Sequence, residues 1–576
     1  MILIFTKRRI MNFTPEQYRI FDFVKNERGH GIIDAVAGAG KTTTIIECAN
    51  HVENKNDILF CAFNSSIATE IENKFKSKGL NEVTVKTLHA LGRNILVQDA
   101  NFRINLKLEN SKYAQILKHN GIKSRIKPFY EDIIIARGFD PENLSDRENI
   151  YEINRIEKEI DFKLLEINQK FRATLAKDEI ESFKAMLVHF RIYESYEIEK
   201  ISFKKELTAI FECHKILLTE GNNLAKNSQI IDYTDMVYLP YIWQLYPIKK
   251  YKFLFIDECQ DLSKSQFAIA AKYCKIDGRI LAVGDPKQSI YGFTGADVDS
   301  FDRVRRFTKA MQLPLTTCFR CPQLVINLAK GIRTDIIGSK SEQGEVTVIP
   351  REKVVETSNP NDLIISRTKA PLIPLVFSFI DSEKKVEIHK DEVIEFLSEL
   401  RKIFLKEELV IPFKSAGFDF NTFKNRIFDR WDRRIYMEAK KIMNAIERDI
   451  YIKNEKNHIS QTLEFFHRKQ IQWAQRCNSI DDLLKVIKQY ISSPEDSVKI
   501  YTIHRAKGLE ADRVFILNYS RLPETKIGQN EWEMEQEINL KYVAITRAKK
   551  VLYLINESKP ELEKKEGSLF DILPFD

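Results

Sequence analysis

The chain has 576 residues, 43% hydrophobic and 30% charged, with only 20 Gly and 17 Pro, the composition of a soluble globular protein of several domains. The opening MILIF is too short for a signal-peptide core and no later apolar run approaches about 18 residues, which argues against a secreted or membrane-spanning protein. Eight scattered cysteines suit a reducing compartment, cytoplasmic (nuclear in a eukaryote), and a net charge of +8 permits a polyanionic partner without demanding one.

Met11 stands just before the first motif, which marks the first ten residues as an extension or a misassigned start. Residues 31–49, GIIDAVAGAGKTTTIIECA, read as a short apolar strand, a small-residue loop and a helix. The loop Ala37, Gly38, Ala39, Gly40 lets backbone N–H groups close around phosphate oxygens. Lys41 then reaches the β/γ-phosphates and the Thr42 hydroxyl can ligate Mg²⁺, with Thr43 beside it at the positive end of the helix. The pattern G-x-x-x-x-G-K-[ST] fails by one residue, because Ala35 stands at its first glycine. On this stretch alone a plain Gly-rich turn stays open.

Residues 94–224 are charged and strongly helical in period, as in YEINRIEKEIDFKLLEINQKF, and predict a helical insertion. YKFLFIDECQD (251–261) is an apolar strand ending in adjacent carboxylates. Asp257 is placed to hold Mg²⁺ and Glu258 to orient and deprotonate a water. AVGDPKQSIYGFTGA (282–296) opens a second apolar stretch into a polar loop, with Gln288 placed to sense a γ-phosphate. TTCFRCP (316–322) has the C-x-x-C spacing of a zinc site, but no second C-x-x-C or C-x-x-H stands nearby, so Cys318 and Cys321 read as buried small residues. A strand at DLIISRT (362–368) is followed by a largely helical segment, 371–497, which is basic in FKNRIFDRWDRRIYMEAKK. That basic stretch suits a solvated helix face or duplex binding equally. The tail EGSLFDILPFD (566–576) is apolar; it suits docking on its own core, or a protein partner such as a sliding clamp.

Taken together, these residues resemble the UvrD/Rep-type superfamily 1 DNA helicases, from about Phe13 to Leu554. FTPEQ (13–17), FCAFNSSIATEI (60–71), TVKTLHALG (84–92), VKIYTIHRAKGLEADRVFIL (498–517) and INLKYVAITRAKK (538–550) fall in the family order around the motifs above. The forms AFNSSIA and NLKYVAITRAK are most similar to the branch of the F-box DNA helicase and its bacterial and phage relatives. The resemblance implies two RecA-like parallel-sheet α/β cores facing an ATP cleft, each with a mainly helical insertion. The first core is expected at 1–93 and 225–318 with its insertion at 94–224. The second is expected at 319–370 and 498–576, with a shortened insertion at 371–497.

By the same resemblance Gln17 reads adenine, Phe319 stacks on it, Glu510 touches the ribose, and Arg320 and Arg547 supply transition-state charge. Lys507 lies near phosphates or DNA, and Phe63, His89, Tyr291, Phe293 and His504 contact single-stranded DNA. Phe293 replaces a tryptophan and Thr294 an arginine usual in the family, and Phe63 is one place off the usual aromatic. The implied activity is ATP- and Mg²⁺-dependent 3′→5′ movement on single-stranded DNA and at single/double-strand junctions. The shortened insertion motivates an alternative, a DNA-stimulated ATPase subunit of a recombination-control or phage-defence complex without processive unwinding.

Overall fold

The computed structural model describes residues 12–99, 106–143, 145–193, 203–292, 299–439, 445–491, 495–525 and 529–556. The expectations at Met11, Phe293, Thr294 and the tail 566–576 lie outside these residues. The chain divides into two compact units. One holds Met1–Phe319, Asp335–Ile337 and Gln529–Asn539; the other holds Arg320–Thr334, Gly338–Gly528 and Leu540–Asp576.

The first unit is built on a six-stranded sheet of β1 (Gly31–Ala35), β2 (Ile58–Ala62), β3 (Thr84–Thr87), β4 (Tyr251–Ile256), β5 (Cys274–Gly284) and β6 (Met311–Leu315). Its order is β3–β2–β4–β5–β1–β6 and every pair is parallel. Continuous apolar runs such as Ile58–Ala62, buried throughout, are what a sheet covered on both faces requires. In the parallel register Ile256 lies beside Ala282 and Asp34 beside Gly284, so β1, β4 and β5 end side by side. Ligands in such sheets sit at the carboxyl ends of the strands.

The second unit repeats the plan with β7 (Glu345–Pro350), β8 (Leu363–Ser366), β9 (Val386–Glu387), β10 (Val498–Thr502), β11 (Ala511–Leu517) and β12 (Ala548–Asn556). The order is β7–β12–β11–β8–β10–β9, again parallel. The protein therefore has two parallel-sheet α/β cores with many helices. No helix among the described residues is long and apolar enough to cross a membrane.

Two details differ from the sequence-based limits. Helices Leu88–Gln98 and Phe203–Ser228 run straight through 93/94 and 224/225. Strand Val386–Glu387 lies within 371–497, yet it pairs with Val498–Lys499 of the second sheet. Two residues carry no period to read, and helical periodicity blurs wherever a core helix continues into an insertion.

The helices between Lys112 and Ser228 share an apolar core that includes Ile133, Leu164, Phe183 and Leu217. They are tied to helix Tyr233–Ile242 by a buried ionic cluster. Lys112 Nζ donates to Asp235 at 2.6 Å; Arg172 donates to Asp235 at 2.7 Å and to both oxygens of Asp232 at 2.7 and 2.8 Å. The side chains of Lys112 and Asp235 are wholly buried. Breaking a buried pair strands the remaining charge, which is the costly event. Asp235→Ala leaves Lys112 and half of Arg172 uncompensated, so we expect a loss of about 3–5 kcal/mol. The readout is an earlier first transition in thermal melting, and an unchanged melt would remove the cluster from this role.

Candidate active site at the strand ends of the first unit

Beyond β1, the loop Val36–Gly40 turns into helix Lys41–Asn50. Gly38 and Gly40 have φ of 68° and 77°, the left-handed region that favours glycine. Ala35 is the last residue of the strand, fully buried and without a positive φ, so the missing glycine of the pattern is not needed there. Ala37 and Ala39 are fully buried, while Thr42 and Thr43 open the helix partly exposed.

Lys41 Nζ lies 3.1 Å from Glu258 Oε1 and donates to Oε2 at 3.2 Å. Burial works against its ammonium, but the charges of Glu258, Asp285 and Asp257 outweigh it and hold its pKa above the ordinary value. Asp257 directly follows β4, and its backbone N–H donates to Cys61 O at 3.2 Å. Burial and then the Glu258 charge push its carboxyl up to about 7. Glu258 itself stands at φ 51°, ψ 44°, a left-handed conformation rare for a residue with a side chain. Such strain persists where surrounding contacts over-determine it: Asp257 Oδ1 accepts from Glu258 N at 3.0 Å, and Gln260 Nε2 donates to Glu258 Oε2 at 2.5 Å.

Asp285, past the end of β5, completes the group. It is fully buried; Oδ2 accepts from Gln288 Nε2 at 2.7 Å, and its own N–H donates to Gln260 Oε1 at 3.1 Å. Asp285 and Gln260 escaped the sequence reading, although both stand inside motifs that reading quoted. The missed signal was a buried polar residue type next to each strand end. Gln17 is also at the loop: its amide donates to Thr44 Oγ1 at 2.9 Å and accepts from Thr14 N at 2.9 Å, bracing the helix after the loop.

Phe319 is 41% exposed, and its N–H donates to Gly38 O at 2.9 Å, which fixes an open aromatic ring beside the phosphate loop. The segment continues into the second unit with Arg320, whose Nε donates to Glu510 Oε2 at 2.6 Å and whose Nη1 donates to Thr546 O at 3.2 Å. Glu510 also pairs with Lys549 at 2.6 Å. Arg547 is 1% exposed, so it is no surface charge; its guanidinium donates to Val543 O at 2.9 Å and Leu509 O at 3.2 Å. Cys318 and Cys321 are buried thiols outside any disulfide, and the described residues contain no cluster of three or more metal-ligating side chains.

Among the residues expected at DNA, Phe63 and Tyr291 come together, with ring centroids 6.2 Å apart and planes within 12°. His89 packs edge-on against Tyr233 at 5.9 Å, and burial holds its pKa below the ordinary value against the pull of Asp232. Burial, then Arg367 and Lys507, lower His504 to about 4, so it is neutral at physiological pH.

The loop geometry gives a direct test. Gly38→Ala and Gly40→Ala should each cost roughly 1–2 kcal/mol, because an L side chain at positive φ is strained. Ala35→Gly, which restores the consensus, should gain no nucleotide affinity and slightly destabilise the strand. Melting and nucleotide titration of the three variants decide it; tighter binding by Ala35→Gly would contradict the assignment.

Comparison with known proteins agrees with this architecture. Residues 15–309 match the UvrD/REP helicase N-terminal domain and residues 379–559 the UvrD-like helicase C-terminal domain. The F-box DNA helicase protein 1 of Schizosaccharomyces pombe is 22% identical over 585 residues, covering 96% of this chain but 58% of that protein. The ATP-dependent DNA helicase PcrA of Staphylococcus aureus is 22% identical over 633 residues, 92% of this chain and 82% of PcrA. A probable DNA helicase of Mycoplasma pneumoniae is likewise 22% identical, over 556 residues, covering 92% and 81%. With a half-buried lysine among strand-end carboxylates and both family domains matched in order, the chain belongs to the UvrD/REP helicase family, and is thereby an ATP hydrolase.

Proposed function

We propose that this chain is an ATP-dependent DNA helicase or translocase moving 3′→5′ on single-stranded DNA, coupling hydrolysis to strand separation or protein displacement in DNA repair or recombination. The observation that carries the reading is the convergence of Lys41, Asp257, Glu258, Asp285 and Gln288 at neighbouring strand ends. In this reading Lys41 binds the β/γ-phosphates and Glu258 takes the proton from the attacking water. Gln288 exchanges Asp285 for the γ-phosphate. Phe319 stacks on adenine with Gln17 beside it, the backbone of Ala37–Gly40 and the start of the helix through Thr43 cradle the phosphates, and Glu510 meets the ribose. Arg320 and Arg547 supply charge to the transition state, an effect worth about 10³–10⁵ in rate.

The residues fit a magnesium ion: Asp257 and Thr42 offer hard oxygen donors, and three carboxylates outnumber one lysine around the site. When bound, Mg²⁺ neutralises developing charge on the phosphates. The parallel rings of Phe63 and Tyr291 support a single-strand track, since base stacking on an aromatic contributes about 1–3 kcal/mol. His89, His504 and Phe293 are assigned to DNA contact in the same reading. A protein partner at the tail and a cytoplasmic or nuclear location belong to the same proposal. The shortened second insertion favours one other reading, a DNA-stimulated ATPase without processive unwinding.

Strand displacement on 3′-tailed against 5′-tailed duplexes tests the proposal: unwinding is expected from the 3′ tail alone. Robust DNA-stimulated hydrolysis with no unwinding would select the second reading, and preference for 5′ tails would overturn the polarity. Lys41→Ala should abolish turnover and leave single-strand binding intact; turnover within about tenfold of the parent would remove Lys41 from its role. Glu258→Gln should retain ATP on the DNA-bound protein, whereas lost ATP affinity would make Glu258 a binding residue instead. Arg320→Ala should slow turnover by about 10³-fold or more, while Cys318→Ser and Cys321→Ser stay near the parent. Stoichiometric zinc lost with Cys318→Ser would reverse that ranking.

A further inference from the structure

The loop Asp285–Gly292 carries Gln288 near its middle and Tyr291 near its end, and one face of a helix is devoted to it. Helix Glu531–Ile545 presents Trp532, Glu535, Gln536 and Asn539 at the three-to-four-residue spacing of a single face. Lys287 Nζ donates to Glu535 at 3.0 Å. A Cβ added to Gly292 would come within 2.6 Å of Gln536 Oε1 and 3.0 Å of the Trp532 ring, so the loop and helix touch at glycine distance. Between these contacts Asn539, fully buried, donates through Nδ2 to Ser289 O at 3.0 Å and Pro286 O at 3.3 Å. The two carbonyls bracket Gln288.

On the opposite side Ser289 Oγ donates to Gln260 O at 3.2 Å, and Gln260 holds Glu258. The loop is thus gripped from two sides at one residue, while its outer end stacks through Tyr291 on Phe63. A loop fixed in this way moves as a body. A shift imposed at Tyr291 by a stacked base therefore reaches Gln288 and, through Gln260, the neighbourhood of Glu258. Asn539 Oδ1 has no hydrogen-bond partner among the described residues, so its contact with the loop is made by the Nδ2 donor.

We propose that Asn539 is a positioning residue that makes ATP turnover respond to single-stranded DNA, acting through the backbone of Pro286 and Ser289; this rests on the helicase reading above. The test measures ATP turnover of the full chain with and without oligothymidylate, together with the ATP KM. Asn539→Asp keeps the shape and removes the donor. It should cut the fold-stimulation by DNA at least tenfold while the ATP KM changes less than about threefold, because the nucleotide contacts themselves are untouched. Gly292→Ala pushes the same loop away from the same helix face, at Gln536 and Trp532, and should show the same split, which keeps the test decisive if the asparagine variant folds poorly. Stimulation within twofold of the parent in both variants would overturn the proposal. So would a loss equal in the presence and absence of DNA, since that is the signature of a structural residue. A parent chain whose turnover ignores DNA would instead overturn the helicase reading itself, and the two failures are thereby distinct.

Discussion

One positive charge among three negative ones sets the terms for the first unit. Lys41 is surrounded by Glu258, Asp257 and Asp285, with water largely excluded, and an unbalanced buried charge is among the most expensive things a fold can hold. The protein tolerates the excess by two means. It raises the Asp257 carboxyl to about 7, so that part of the surplus is carried as a bound proton, and it fills the remaining lone pairs with Gln260, Gln288 and backbone N–H groups. The left-handed backbone of Glu258 turns that carboxylate toward the lysine.

A second buried charge cluster does a different job. Lys112, Arg172, Asp232 and Asp235 lie far along the chain from the loop Val36–Gly40, and they fix the helices between Lys112 and Ser228 to helix Tyr233–Ile242. Directional ion pairs define one seating of a long helical segment better than apolar contacts do, since sliding by one turn would leave charges unpaired in the interior. The apolar core around Leu164 and Phe183 supplies the driving force, and the charges supply the register.

The cluster at the strand ends was legible because a tight turn at positive φ favours glycine, and because paired carboxylates after an apolar run are rare by chance. Gly38, Gly40, Lys41, Asp257 and Glu258 could be read in this way. Phe63 and Tyr291 could be named only through the family resemblance, and the contact between their rings shows only in the structure. What stayed hidden was contact between distant segments. Nothing in FTPEQ announces that Gln17 braces Thr44, and nothing in INLKYVAITRAKK announces that Asn539 reaches the Pro286 carbonyl. The strand Val386–Glu387 was invisible for another reason: two residues have no period, and only the parallel partner Val498–Lys499 makes them a strand. Arg547 was legible as an arginine of consequence, but its burial against Val543 and Leu509 carbonyls depends on the turn that follows a helix.

The cysteines have a use that has nothing to do with metals or packing. All eight are described; seven are buried, and Cys274 alone is partly exposed, with its thiol pushed up to about 11 by burial and Asp277. Thiolate is the species that reacts with maleimides, so the native surface is nearly silent toward them. A single cysteine introduced at an exposed helix position would outcompete the natural set. Fluorophore pairs can then be installed after at most one replacement, at Cys274. The seven interior thiols stay in place as small buried hydrophobes.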